Sequence, residues 1–245
     1  MKTKWQQQDV KVRGVPFHYT RTGNGSQPAM VLAHGFSDSG LCWLPFAQDM
    51  EKDYDVILPD ARGHGLSARV EIDQRFDAAS DLAGLIKKLG VAPVILGGHS
   101  MGANTSARLA ARYGALVKAL ILEDPGWHEF KPSRRPRVVE QKPNPWIEWL
   151  LNLQGASLED VMAKCRADSP SWAEIEFEPW AESKLQLDRN FVLGRQFRRT
   201  NWIKVIQAIA CPTLLLIADT SKGAIVTPEV AAQALADLVE HGFGE

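Results

Sequence analysis

The stretch Pro93-Val94-Ile95-Leu96-Gly97-Gly98-His99-Ser100-Met101-Gly102 decides how this chain is read. Its apolar start, Pro93–Leu96, predicts a buried strand, and the small residues from Met101 to Tyr113 predict a helix. Ser100 falls at the turn between them, flanked by Gly98 and Gly102. Glycines leave room there because they carry no side chain. A serine on such a turn sits in a strained backbone with its hydroxyl projecting from the sheet edge. The N-terminus of the helix that follows favours a developing negative charge. The pattern predicts a nucleophilic serine.

Upstream and downstream, apolar runs alternate with helical stretches. Val10–Tyr19 alternates like a hairpin strand, broken at Gly14-Val15-Pro16, and Met30–Ala33, Tyr54–Leu58, Val117–Leu122 and Thr213–Ile217 predict further strands. Helices are expected over Leu41–Met50, Asp77–Leu89 and Pro228–Val239. Strands and helices alternating at this spacing predict a mostly parallel sheet covered on both faces, an α/β fold. Residues 125–210 break the rhythm. They hold Trp127, Trp146, Trp149, Trp172 and Trp180 and the pair Arg134-Arg135, with helical stretches at Trp146–Leu153 and Leu158–Arg166. This segment is expected to be a helical cap on a core made of 1–124 and 211–245.

His34-Gly35-Phe36 follows the strand Met30–Ala33. Such a loop aims a backbone N–H at a carbonyl oxygen bound to Ser100, so the amides of Phe36 and Met101 are the expected oxyanion hole. The His34 side chain is expected to bond within its own loop.

The chain has 245 residues, 45% of them hydrophobic and 23% charged, in the proportions of a globular domain. Its 28 Lys and Arg nearly cancel 29 Asp and Glu, giving a net charge of −1, which argues against nucleic acid as a partner. Cys42, Cys165 and Cys211 are scattered and match neither a disulfide framework nor a zinc spacing. The polar start, Met1-Lys2-Thr3-Lys4-Trp5-Gln6, has no apolar core of a signal peptide. The longest apolar stretch, Ala208 to Ala218, is eleven residues, too short to span a bilayer. A cytoplasmic protein without membrane partners is expected.

Taken in order, His34-Gly35-Phe36, Asp60-Ala61-Arg62-Gly63-His64-Gly65-Leu66-Ser67 and Gly98-His99-Ser100-Met101-Gly102 resemble the α/β-hydrolase fold. The branch they resemble holds esterases, lactonases and carbon–carbon hydrolases with a helical cap. The resemblance implies an eight-stranded sheet, a nucleophile–acid–histidine triad and no metal or organic cofactor. It also implies that Asp60, Arg62 and Gly63 shape the loop after their strand. For the acid, three residues stay open. Asp124 lies 24 residues after Ser100, in the manner of relatives that place the acid after the sixth strand; Glu123 is its neighbour. Asp219 follows Thr213–Ile217, the family's more usual strand.

The histidine departs from the family. It is implied to follow an eighth strand, but this chain reaches Glu245 four residues after His241. Of His18, His34, His64, His99, His128 and His241, none has the family's position. His128 at the root of the cap and His241 at a helix end are the possible substitutes. The expected picture is a chain shortened at its C-terminus, with an apolar sheet edge that invites dimerisation. The expected function is hydrolysis of an ester or lactone of a small apolar or aromatic molecule through an acyl-enzyme on Ser100. Trp127, Trp146 and Trp180 are the expected substrate contacts. A catalytically impaired or non-catalytic protein and a carbon–carbon hydrolase are the alternatives. Ser100 argues against epoxide hydrolases and dehalogenases of this fold, which use a carboxylate nucleophile.

Overall fold

Each apolar run noted above becomes a strand. The computed structural model describes residues 5–72, 74–128, 144–153, 155–194 and 201–240. β1 (Gln6–Val12) and β2 (Val15–Arg21) form a hairpin that turns through Arg13 and Gly14, both at positive φ. β3 (Ala29–Ala33), β4 (Asp55–Pro59), β5 (Val94–His99), β6 (Val117–Glu123) and β7 (Thr213–Leu216) follow. Their order in the sheet is β1-β2-β4-β3-β5-β6-β7. β1, β2 and β4 pair antiparallel, and every neighbouring pair from β4 to β7 is parallel.

Parallel neighbours need long crossovers, and helices supply them. α1 (Leu44–Met50) joins β3 to β4, α2 (Ala78–Leu89) joins β4 to β5, and α3 (Met101–Arg112) joins β5 to β6. α2 starts where the Asp77 side chain accepts from the Ala79 amide, and ends at Gly90 in the left-handed region. It buries Ala79, Leu82, Ala83, Leu85 and Ile86, a single face at helical spacing. These join Val31, Ile57, Leu96, Leu120 and Leu122 in the main core.

Between β6 and β7 lie α4 (Pro145–Leu151), α5 (Leu158–Asp168), α6 (Glu174–Gln186), α7 (Arg189–Leu193) and α8 (Trp202–Ile206); α9 (Pro228–Glu240) comes after β7. α6 is absent from the sequence expectation because Pro179 stands inside it, where proline normally breaks a helix. The inserted helices bury their own cluster, with Leu150, Leu153, Val161 and Ala181 at its centre. α8 does not belong to that cluster. Trp202 and Ile206 instead join the main core, where α8 packs against α3. Arg134 and Arg135 lie outside the described residues.

This topology gathers the loops after β3, β4, β5 and β6 at the carboxyl ends of parallel strands, where such sheets place their sites. No strand lies outside β7 among the described residues. Leu214, Leu216 and Ile217 there are 53%, 43% and 48% exposed. No described helix is long and apolar enough to cross a membrane.

Candidate active site

Ser100 takes φ 50° and ψ −109°, a conformation rare for any residue with a side chain. The two flanking glycines permit it. A methyl group on Gly98 would lie 2.5 Å from the carbonyl carbon of Gly102, and one on Gly102 would lie 2.2 Å from the Ala33 carbonyl oxygen. The first turn of α3 therefore rests directly on the end of β3. That contact brings Met101 beside the loop His34-Gly35-Phe36. Ser100, Met101, His34 and Phe36 all line one cavity of about 890 Å³.

The loop is pinned by its buried histidine. His34 Nε2 accepts from the Ala61 amide at 2.9 Å, so the ring proton is on Nδ1, which donates to the Gly35 carbonyl at 2.7 Å. Burial holds the His34 pKa below its ordinary value, against the opposing pull of Asp60. Neutral and bonded at both nitrogens, the ring is a strut and not a proton acceptor for Ser100. Gly35 oxygen also accepts from the Asp38 amide at 3.2 Å. In a trans peptide the N–H points opposite to the C=O. Two bonds on Gly35 oxygen thus fix the direction of the Phe36 N–H.

The three candidate acids are placed differently. Ser100 N–H donates to the Glu123 carbonyl at 2.9 Å, so Asp124 begins where the elbow does, one strand over. Asp124 has φ 41°, and its carboxylate accepts from the amides of Ile225 at 2.9 Å and Val226 at 2.9 Å. Ile225 lines the cavity with Ser100. Asp219 instead caps a 3₁₀ turn at the surface, accepting from the Ser221 amide at 2.9 Å and hydroxyl at 2.7 Å. Those bonds hold its pKa below the ordinary carboxylate value. Asp219 is not among the residues lining the cavity. Glu123 is half-buried on β6, opposite His99 and Leu216.

Of the other imidazoles, His128 lines the cavity beside Gly126. His99 packs against Gly35, where a methyl group would lie 2.7 Å from its Nδ1. His18 pairs with Asp9 at 2.8 Å on the hairpin. His64 is buried under Phe36 and Phe191, its Nδ1 3.2 Å from the Arg62 carbonyl. His241 lies outside the described residues.

The tryptophans do not contact the cavity as expected. Trp127 is buried in the main core, stacked on Trp202 at 5.4 Å. Trp146 and Trp180 stack with Trp149, at 4.6 Å and 6.0 Å from it, inside the inserted helices. None of the three lines the cavity. They pack because flat rings bury large area against one another. The residues that do line its far wall carry no sequence motif or belong to a loop-forming one. Arg62 reaches Asp81 at 2.9 Å and stands 4.9 Å from the Phe76 ring; Arg75 and Arg108 also line the cavity, Arg108 paired to Asp77 at 3.0 Å. Asp60 does shape its loop, accepting from the amides of Gly40 at 2.7 Å and Leu66 at 2.8 Å.

A seven-stranded, mostly parallel sheet with a strained serine at the β5–α3 turn defines an α/β hydrolase. The chain belongs to the alpha/beta hydrolase fold family, which it matches over residues 28–243. It is 38% identical over 140 residues to 2-(acetamidomethylene)succinate hydrolase of Mesorhizobium japonicum, covering 57% of this chain and 47% of that protein, about half its length. It is 27% identical over 234 residues to N-formylmaleamate deformylase of Pseudomonas putida, covering 92% of this chain and 82% of that protein. A crystal structure of the N-formylmaleamic acid deformylase of Pseudomonas putida superposes with a TM-score of 0.75 and 23% identity, over 96% of this chain and 90% of that one. The thioesterase domain of a curacin biosynthetic pathway gives 0.76 and 20%, over 96% and 89%.

Proposed function

We propose that the protein is a serine hydrolase that removes an acyl group from a small, carboxylate-bearing molecule. The strained Ser100 at the mouth of the cavity carries the proposal. Ser100 Oγ adds to the acyl carbon as its proton passes to a base, and the amides of Phe36 and Met101 take the negative oxygen. Collapse expels the leaving group with a proton, and water then frees the serine by the same steps. Asp124 is the triad acid in this proposal, supported by its place beside the elbow and its two backbone donors.

Two observations favour an acidic substrate over the apolar one expected from the tryptophans. Arg75 lines the cavity with Phe17, Phe76 and Phe191, beside Arg62 and Arg108, which are already paired to Asp81 and Asp77. The two relatives' names both denote small carboxylates carrying an acylated nitrogen. Ester and lactone cleavage use the same machinery. A binding protein without turnover is the second reading, favoured because no described imidazole bonds both Ser100 and Asp124.

A fluorophosphonate probe tests the nucleophile: mass spectrometry of the adduct is expected to place it on Ser100, and Ser100→Ala to abolish it. Hydrolysis of activated esters is expected to be slow and to keep rising with pH as hydroxide substitutes for a base. If Asp124 orients an imidazole base, Asp124→Asn is expected to lower the rate far more than Asp219→Asn. Labelling on another serine overturns the assignment. A plateau near neutral pH that His128→Ala removes would instead make His128 the base.

A further inference from the structure

The inserted helices carry one charged side chain that the chemistry above leaves unused. Lys184, on α6, has its side chain 1% exposed. A buried ammonium is costly unless its protons are all taken, and here each has a partner. Nζ donates to the Ser37 carbonyl at 3.0 Å, to Asp38 Oδ1 at 2.5 Å and to Ser183 Oγ at 3.1 Å. The Trp180 ring lies 4.7 Å away on a further side, a cation–π contact.

Two of those partners belong to the oxyanion loop, 146 and 147 residues earlier in the chain. Ser37 is buried with φ 68°, so the chain doubles back immediately after Phe36. The Asp38 amide bonds the Gly35 carbonyl, one of the two bonds that set the Gly35–Phe36 peptide plane. The Phe36 side chain also packs against the buried cluster of the inserted helices. A positive charge on α6 thus grips the residues on the C-terminal side of Phe36, as His34 grips those on the N-terminal side.

We propose that Lys184 is a positioning residue for the oxyanion hole: through Ser37 and Asp38 it ties the inserted helices to the loop that aims the Phe36 N–H. The inference rests on the hydrolase reading, because it needs Phe36 to be an oxyanion donor. It goes beyond that reading in giving the insertion a part in transition-state stabilisation as well as in enclosing the cavity. An oxyanion donor displaced from its target by a loose loop acts like a donor removed.

The experiment measures phosphonylation of Ser100 in Lys184→Met, which keeps the chain length and removes the charge. The amplitude of labelling counts folded sites, and the rate constant reports their geometry. The expected result is full amplitude with a rate constant at least tenfold lower, short of the roughly hundredfold or more that outright loss of one donor costs. Hydrogen exchange of the 35–40 segment is expected to rise in the same variant. Lys184→Arg, which keeps the charge, is expected to recover part of the rate. Where Lys184→Met does not fold, Asp38→Asn carries the same test from the loop side. A rate constant within twofold of the unmodified chain, or a loss in amplitude alone, overturns the positioning role while leaving the hydrolase reading in place. No labelling of Ser100 in the unmodified chain removes the hydrolase reading, and the positioning role with it.

Discussion

Ser100 and the two buried histidines near it show how single residues here hold unfavourable states for a purpose. A non-glycine residue at φ 50° and ψ −109° costs on the order of 1–3 kcal/mol, offset by the surrounding packing. His34 and His64 are both buried, and burial lowers the pKa of each; His34 adds a repulsive push to His64. In the unfolded chain their pKa values return to about 6.5. The unfolded state therefore binds protons first as pH falls, so their contribution to stability is present above about pH 6.5 and lost below it. Urea unfolding at a series of pH values is expected to show stability falling from pH 7 toward 5. Each ring contributes up to about 1.4 kcal/mol for every tenfold by which folding weakens its hold on a proton. His64→Gln is expected to flatten that slope. A slope unchanged in this variant would mean that His34 or carboxylates, not His64, set the acid limit.

At the scale of elements, the β5–α3 turn is a join with no room for an added side chain. Gly102 lets α3 start against β3, with the Ala33 carbonyl where a side chain would go. Gly102→Ala must push helix and strand apart, which is expected to cost about 3 kcal/mol, the upper range for overpacking. Denaturant midpoints measure it, and Gly114→Ala, where nothing lies within 4 Å, is the matched control. Much of this level was legible in the chain itself. The Gly98–Gly102 motif located the elbow, and short apolar runs located β3 to β7 because buried parallel strands carry no competing pattern. The hairpin reads only as the alternating stretch Val10–Tyr19, and the polar start of β1 at Gln6 gives no signal. The inserted helices were harder to read. Pro179 hid α6, and Trp202 stands in no motif because its role is packing beneath α3, which local sequence does not announce. Spacing leaves Asp124 and Asp219 both open; what favours Asp124 as the proposed acid is its bonds to the Ile225 and Val226 amides, about a hundred residues away in sequence. The tryptophans are hard to place for a related reason: aromatic content marks burial, and only the fold says which rings stack on one another.

For the whole molecule, the sheet has β1 of the hairpin at one edge and, among the described residues, β7 at the other. Leu214 and Leu216 point to the same face of that strand, and with Ile217 they leave an apolar rim. Rims of this kind recruit partners. Sedimentation velocity over a concentration series is expected to show association of the 245-residue chain, weakened in Leu214→Lys/Leu216→Lys. A monomer at every concentration would mean that this rim does not drive assembly. Within the inserted helices, Trp146, Trp149 and Trp180 form a stack with Lys184 set over the last ring. Coupled indoles this close split one another's optical transitions, and a nearby cation shifts their emission. The insertion thus contains its own spectroscopic gauge. Circular dichroism and intrinsic fluorescence can follow, without any added label, whether α4 and α6 keep their mutual orientation when a ligand enters the cavity.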